Sequence, residues 1–143
     1  MSEERSDLAI GATMASVVAE NLSRTQIVMY AGASGDYNPL HTDEIFATKR
    51  AGYPSVFAHG MLTMGMTARV LTNWVGEGQL TSYSARFARQ VWPGDTLAAV
   101  ATVVRLRLDH DQPLIDFDIV TRNQDGDEVM TGKASARIPD DLT

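Results

Sequence analysis

The 143-residue chain contains no cysteine. That absence excludes a disulfide scaffold, a zinc–thiolate site and a cysteine nucleophile, and it fits a reducing cytoplasm. Basic residues are in deficit, with 12 Lys and Arg against 18 Asp and Glu and a net charge of −6. Nucleic-acid-binding domains show the opposite imbalance, so nucleic acid is not an expected partner. An anionic small substrate would have to be met by local basic residues rather than by the overall field. Long hydrophobic runs are missing too. The most apolar stretch, Met61 to Val75, is short and broken by threonines and Arg69, so no membrane span is expected. Met1 to Asp7 is polar and acidic, without the basic and then apolar pattern of a signal peptide. No repeat, low-complexity tract or linker divides the chain.

What is present is the composition of a folded globular domain, 44 % apolar and 21 % charged, with length for one substantial core. The expectation is a single domain over 1–143, ordered roughly from 8 to 139, in the cytoplasm. Thr13 to Glu20 reads as a first strand. Ser23 is the expected N-cap of a helix from Arg24 to Ala33, with Gln26 placed as in a capping box, and Gly32 and Gly35 end it. A loop, GASGDYNPLH (Gly32 to His41), follows. Asp43 or Thr42 is expected to cap a second short helix running through Lys49 to Ala51.

His59 to Gly76, HGMLTMGMTARVLTNWVG, is apolar or small on nearly every side, which predicts a helix buried all round. Gly60, Gly65 and Ala68 would let other backbone approach it. Strands then dominate. Ser82 to Val91 alternates, with Tyr83, Ala85 and Phe87 on one face. WPGD (Trp92 to Asp95) reads as a type II turn, and Thr96–Leu108 and Leu114–Arg122 as strands. NQDGD (Asn123 to Asp127) is a hairpin signal. In the last strand, Val129 to Ile138, the mostly small residues Met130, Gly132, Ala134, Ala136 and Ile138 face in, as if a helix lay against them. One buried helix with about five strands predicts an α+β fold. It is the hot-dog arrangement, an antiparallel sheet wrapped around a long helix. Its open edges would be managed by a dimer that joins two sheets.

A tight turn needs Gly, Asn and Pro; it does not need Asp36 and His41. Two readings stay open. In one, Asp36 caps a turn and His41 is an ordinary surface or core histidine. In the other, the rigid loop brings a carboxylate and an imidazole to one point, where a single water loses a proton to the carboxylate while the imidazole handles the other. No metal is expected, because a mononuclear site wants three protein ligands and His59 and His110 supply no recognisable spacing. His59–Gly60 also reads two ways: as a closely packed helix entry, or as an oxyanion site made of free N–H groups at the positive helix end. In the second reading the missing Cβ of Gly60 admits a thioester carbonyl. His59 itself is expected to be structural. Met61, Met64 and Met66 are expected in core packing, part of the stripe being able to line an acyl tunnel. Lys49, Arg50, Arg86, Arg89, Arg105 and Arg107 read as solvated or as grips for carrier phosphates, with RFARQ (Arg86 to Gln90) the best candidate.

The stretch YAGASGDYNPLHTD (Tyr30 to Asp43) resembles the hydratase motif of the MaoC-like, or (R)-specific enoyl-CoA hydratase, family. FAHGMLTMG (Phe57 to Gly65) and ARFARQVWPGDTL (Ala85 to Leu97) extend the similarity in the same order over most of the chain. The resemblance is especially close to the catalytic-subunit type of mycobacterial fatty-acid-elongation dehydratases. It implies a hot-dog fold and reversible addition of water to a trans-2-enoyl thioester, giving the (R)-3-hydroxyacyl thioester. It implies Asp36 and His41 as the water-activating pair, the Gly60 amide as oxyanion donor and Asn38 as support for loop and substrate. Arg86 and Arg89 remain the candidates for the carrier. The substrate would be an acyl-CoA or acyl-carrier-protein thioester, with no cofactor and no metal, in a homodimer or a heterodimer with a related subunit. A hot-dog thioesterase and a non-catalytic acyl-CoA-binding subunit are the alternatives.

Overall fold

The computed structural model describes residues 8–139. Five strands form one antiparallel sheet: β1 (Thr13–Ala19), β2 (Leu80–Phe87), β3 (Leu97–Asp109), β4 (Gln112–Arg122) and β5 (Glu128–Arg137). Their spatial order is β1-β3-β4-β5-β2. Two helices, α1 (Arg24–Ser34) and α2 (Gly60–Val75), precede β2. The α+β hot-dog expectation therefore holds: α2 lies on one face of the sheet, in contact with β1, β2, β3 and β5.

The period-2 alternation read in the sequence becomes rows across the inner face. Val103, Phe117, Ala134 and Tyr83 form one row and Ala101, Ile119, Gly132 and Ala85 the next. Leu97, Ala99, Ala101 and Val103 of β3 are fully buried, as are Ile115, Phe117 and Ile119 of β4. Trp74 of α2 packs on Phe117 with ring centroids 5.4 Å apart. Tyr83 ties the helix to the edge strand by donating its hydroxyl to the Met64 carbonyl at 2.8 Å. Burial pushes the Tyr83 phenol up to about 12.

Four expectations need correction. First, α2 is not buried all round: Leu62, Met66, Val70, Leu71 and Trp74 face the core, while Met61 is 56 % exposed and Gly65 and Asn73 are exposed. Nothing lies within 4 Å of where a Gly65 Cβ would be, so that glycine admits no neighbouring backbone in this chain. Second, the small residue at Gly132 answers β2 rather than a helix, since a Cβ there would stand 2.6 Å from the Ser84 carbonyl oxygen. Third, β2 stops at Phe87 rather than at Val91. The N–H groups of Ala88 and Arg89 both point to the Val129 carbonyl, at 2.9 and 3.4 Å, which breaks the alternation. Fourth, the short helix after Asp43 ends as a π-helical turn, Phe46–Arg50, closed by the Ala51 N–H donating to the Phe46 carbonyl at 3.0 Å. Asp43 does cap its start, its Oδ1 accepting the Phe46 N–H at 3.1 Å.

Candidate functional site

The loop between α1 and α2 is held by its own side chains. Ser23 caps α1 as expected, its hydroxyl accepting the Gln26 N–H at 3.0 Å. The Gln26 side chain does not complete the box; it reaches Met66 Sδ at 3.6 Å instead. Gly35 closes the helix in the left-handed region (φ +74°), its N–H donating to the Ala31 carbonyl. Three successive side-chain turns follow. The Asp36 N–H donates to Ser34 Oγ (3.1 Å), the Asn38 N–H to Asp36 Oδ1 (3.2 Å), and the Leu40 N–H to Asn38 Oδ1 (3.0 Å). This is the local bonding that Ser, Asp and Asn offer a turn. The His41 N–H donates to the Asn38 carbonyl at 3.0 Å.

That ladder orients the Asp36 carboxylate. Oδ1 is occupied by the Asn38 amide, and Oδ2 faces His41 Nε2 at 4.0 Å. His41 is fixed from behind, because its Nδ1 lies 2.6 Å from the Phe57 carbonyl and must carry the proton that bond requires. Nε2 is then the free acceptor. Asp36 is about half exposed (52 %) and His41 largely buried (11 %). Two hydrogen bonds of about 2.8 Å meeting near a right angle span a 4.0 Å gap. One water therefore fits between a carboxylate and an imidazole that both present acceptors.

The turn that carries Phe57 is tied on both sides. The Phe57 N–H donates to the Leu40 carbonyl (3.3 Å) and the Ala58 N–H to the Val91 carbonyl (2.8 Å). The Phe57 ring packs edge-on against Tyr53 and Trp92. His59, at φ −63° and ψ 137°, ends this segment and begins α2, but gives it no side-chain cap. The Gly60 N–H therefore has no intrahelical acceptor and finds no other backbone or side-chain acceptor among the described residues. It sits at the positive helix end.

A cavity of about 220 Å³ opens beside it, lined among others by Gly60, Thr63, Phe87, Arg89 and Val129. The missing Cβ of Gly60 serves Phe87, whose ring carbons would lie 2.7–3.0 Å from it. The space expected for a substrate carbonyl is, at that atom, filled by an aromatic ring. Thr63 is buried, and its hydroxyl has no partner among the described residues.

The structure thus gathers Asp36, Asn38 and His41 on one loop and Gly60 with Arg89 at one cavity. Arg86 is elsewhere. It faces the outer side of the sheet, in a surface pocket with Asp118 and Lys133. Lys49 and Arg50 sit in the π-helical turn. Arg107 is committed to Asp116 at 3.0 Å, with Arg105 at 3.9 Å.

Sequence reasoning left His59 out of the site, yet its ring stacks on His41 with centroids 3.8 Å apart and a 26° tilt. Asp36, His41 and His59 offer donor atoms within 4.8 Å of one another. Lone pairs of stacked imidazoles lie in their ring planes and run side by side rather than onto one point. One His59 nitrogen is also taken by the Asp36 carbonyl, at 3.0 Å. The trio is not shaped as a tetrahedral metal centre.

A helix laid on an antiparallel sheet defines the chain as a hot-dog protein, in which a carboxylate and an imidazole face each other on the loop before the helix. The chain belongs to the MaoC-like domain family, whose model matches residues 6–116. It is 32 % identical over 124 residues to the (R)-specific enoyl-CoA hydratase of Rhodospirillum rubrum, covering 85 % of this chain and 83 % of that one. It is 47 % identical over 70 residues to 3-hydroxyacyl-thioester dehydratase Y of Mycobacterium tuberculosis, covering 47 % of this chain and 24 % of that protein. Among solved structures, the (R)-hydratase from A. caviae superposes with a TM-score of 0.80 at 26 % identity, covering 92 % of this chain and 97 % of the other. The chain spans less than a third of the length of the first three curated relatives it matches. No helix of the described residues is long and apolar enough to cross a membrane.

Proposed function

We propose that the protein is a hydro-lyase that interconverts trans-2-enoyl and (R)-3-hydroxyacyl thioesters by reversible addition of water. The observation that carries this reading is the 4.0 Å approach of Asp36 Oδ2 to His41 Nε2. A water held by both presents its oxygen lone pair to C3 of the enoyl group. As the C–O bond forms, one water proton passes to the pair and the other stays on the new hydroxyl. The electrons of the C2–C3 double bond move onto the thioester oxygen, where the Gly60 N–H and the helix dipole stabilise the enolate. Return of the abstracted proton to C2 completes addition with atoms balanced and without a cofactor. Asn38 holds the loop rather than the reacting atoms. Arg89 is the local cation for a carrier phosphate, whereas Arg86, on the other sheet face, enters only through a second subunit. The (R) configuration follows the names of the Rhodospirillum and A. caviae relatives.

The test is hydration of a crotonyl- to dodecenoyl-CoA series by the chain alone, read as loss of enoyl absorbance and followed by chiral analysis. The same acyl groups on acyl carrier protein decide the carrier. An (R)-3-hydroxyacyl product is expected. Release of free thiol would make the protein a thioesterase, and no turnover on either carrier would make it a binding subunit.

A dimer accompanies this reading. Met61 on α2, Met29 on α1 and Tyr37 on the loop are exposed, and β2 is an open edge. The partner is an identical chain or a related subunit, and light scattering at low concentration distinguishes these from a monomer. The lack of cysteine supports a cytoplasmic site of action.

A further inference from the structure

We infer that His59 is a positioning residue that locks the mutual geometry of Asp36 and His41. This rests on the hydratase reading for its kinetic consequence, though not for its structural one. Three contacts meet in this residue, which is 2 % exposed. Its Nε2 lies 3.0 Å from the Asp36 carbonyl, so the proton sits on Nε2 and Nδ1 is an acceptor. That Nδ1 is buried and has no partner among the described residues. The His59 ring stacks on His41 at 3.8 Å, and Tyr30 closes its side edge-on at 4.8 Å. Its own backbone starts α2, with its carbonyl accepting the Leu62 N–H at 3.1 Å.

Of the other restraints, only Asn38 touches both groups, and it reaches His41 at the main-chain N–H rather than at the ring. The Asn38 amide orients the Asp36 carboxylate, and the Phe57 carbonyl anchors His41 Nδ1. Neither fixes the distance between the two. The His41 ring, anchored at Nδ1 and met edge-on by Phe57 at 5.3 Å, is closed on its face by His59. The same imidazole holds the Asp36 backbone, so the gap that receives the water is set by one rigid side chain. The adjacent Gly60 amide is held by the same residue's main chain. Positional errors of about 1 Å at such a site cost on the order of 10²-fold in rate.

Two substitutions separate the contacts. His59→Gln keeps an N–H donor for the Asp36 carbonyl and removes the ring. His59→Phe keeps a flat ring of similar bulk and removes the donor. Both are expected to lower kcat at least about tenfold with KM changed by less than about threefold, because the water rather than the substrate is misplaced. In an Asp36→Asn background, His59→Gln should add almost nothing, since its effect passes through the pair. A multiplicative loss in that background, a change confined to KM, or wild-type kcat in either folded variant overturns the inference.

A second readout needs no turnover. Ring ¹³C relaxation of His41 should show one rigid orientation in the wild type and exchange between orientations in His59→Gln, with the proton held on Nδ1 by the Phe57 carbonyl in both. An unchanged His41 signal in folded His59→Gln overturns the inference even if the wild type proves inactive on every enoyl thioester. A changed signal upholds it while the hydratase reading fails.

Discussion

The hydroxyls of Thr67, on α2, and Thr121, on β4, meet at 2.7 Å in the core, both fully buried. Replacing one Thr by Val leaves the other hydroxyl unpaired, at a cost of about 1–3 kcal/mol. The two singles should differ. Thr67 sits in a helix, where its hydroxyl can turn to the carbonyl four residues back; Thr121, in a central strand, has no such fallback. Thr67→Val is therefore the more destabilising, and the double Val variant lies closer to wild type than the sum of the singles. Urea midpoints of the four proteins check this.

Asp36→Asn keeps the side-chain turn to Asn38 but removes the base, and His41→Ala removes the imidazole. Each should lower kcat/KM by about 10²–10⁴. The proposed mechanism has both residues act on one water, so the double variant should be little worse than the worse single. A multiplicative loss would place them in separate steps. The thermal melt of Asp36→Asn should change little, because the half-exposed Asp36 side chain contributes little apolar burial, whereas His41→Ala removes a largely buried ring and should melt lower.

Gly60→Ala and Gly60→Pro together isolate the amide. Either adds a Cβ that must push the Phe87 ring aside, but only proline deletes the N–H. Proline is tolerated at a first helical position, and His59 already has the extended backbone that a following proline demands. The kcat of Gly60→Pro should fall below that of Gly60→Ala by about 10²–10³. Equal rates for the two would remove the oxyanion role from this amide.

Acid stability should follow Asp116. Burial alone would raise its pKa, but hydrogen bonds from Arg107 and Ser135 outweigh it and hold the carboxyl below its ordinary value. The Arg24 guanidinium does the same for Glu44. A carboxyl whose folded pKa is depressed stabilises the fold fully above its unfolded pKa. That contribution is lost as pH falls through the folded value, here on the acid side of about pH 4. Urea midpoints should drop in that range, and Asp116→Asn should flatten part of the drop. Glu44 contributes less, since its pair with Arg24 is solvent-exposed on both sides.

The strands, the N-cap at Ser23 and the turn at Trp92–Asp95 were legible because each is a local pattern that its own residues satisfy. The Asp95 N–H does donate to the Trp92 carbonyl at 3.0 Å. The sequence singled out Asp36 and His41 as residues a turn does not need; the structure brings them to 4.0 Å, yet it also uses Asp36 in the turn, its Oδ1 accepting the Asn38 N–H. His59 was not legible, because its stacking partner is 18 positions away (59 minus 41) and depends on how the helix start docks. The one-sidedness of α2 was hidden by composition: Met61 and Gly65 read as core by polarity, yet they face outward. Arg86 and Arg89 looked equivalent in RFARQ. The end of β2 at Phe87 separates them, leaving one on the sheet's outer face and one at the cavity.

The strand order has a consequence for how the molecule comes into being. β3, β4 and β5 are consecutive neighbours, whereas β1 and β2, the first strands along the chain, take opposite rims. Hairpins close short loops; the rims must bridge long intervening stretches, which is entropically slower. Refolding is therefore expected to assemble the central meander first and to settle the rims onto it. On the ribosome the timetable is inverted: the Asp36 loop, His59, α2 and Phe87 all emerge before β3, β4 and β5. The half of the chain that carries the candidate site is thus synthesised before the three strands that complete the sheet under α2.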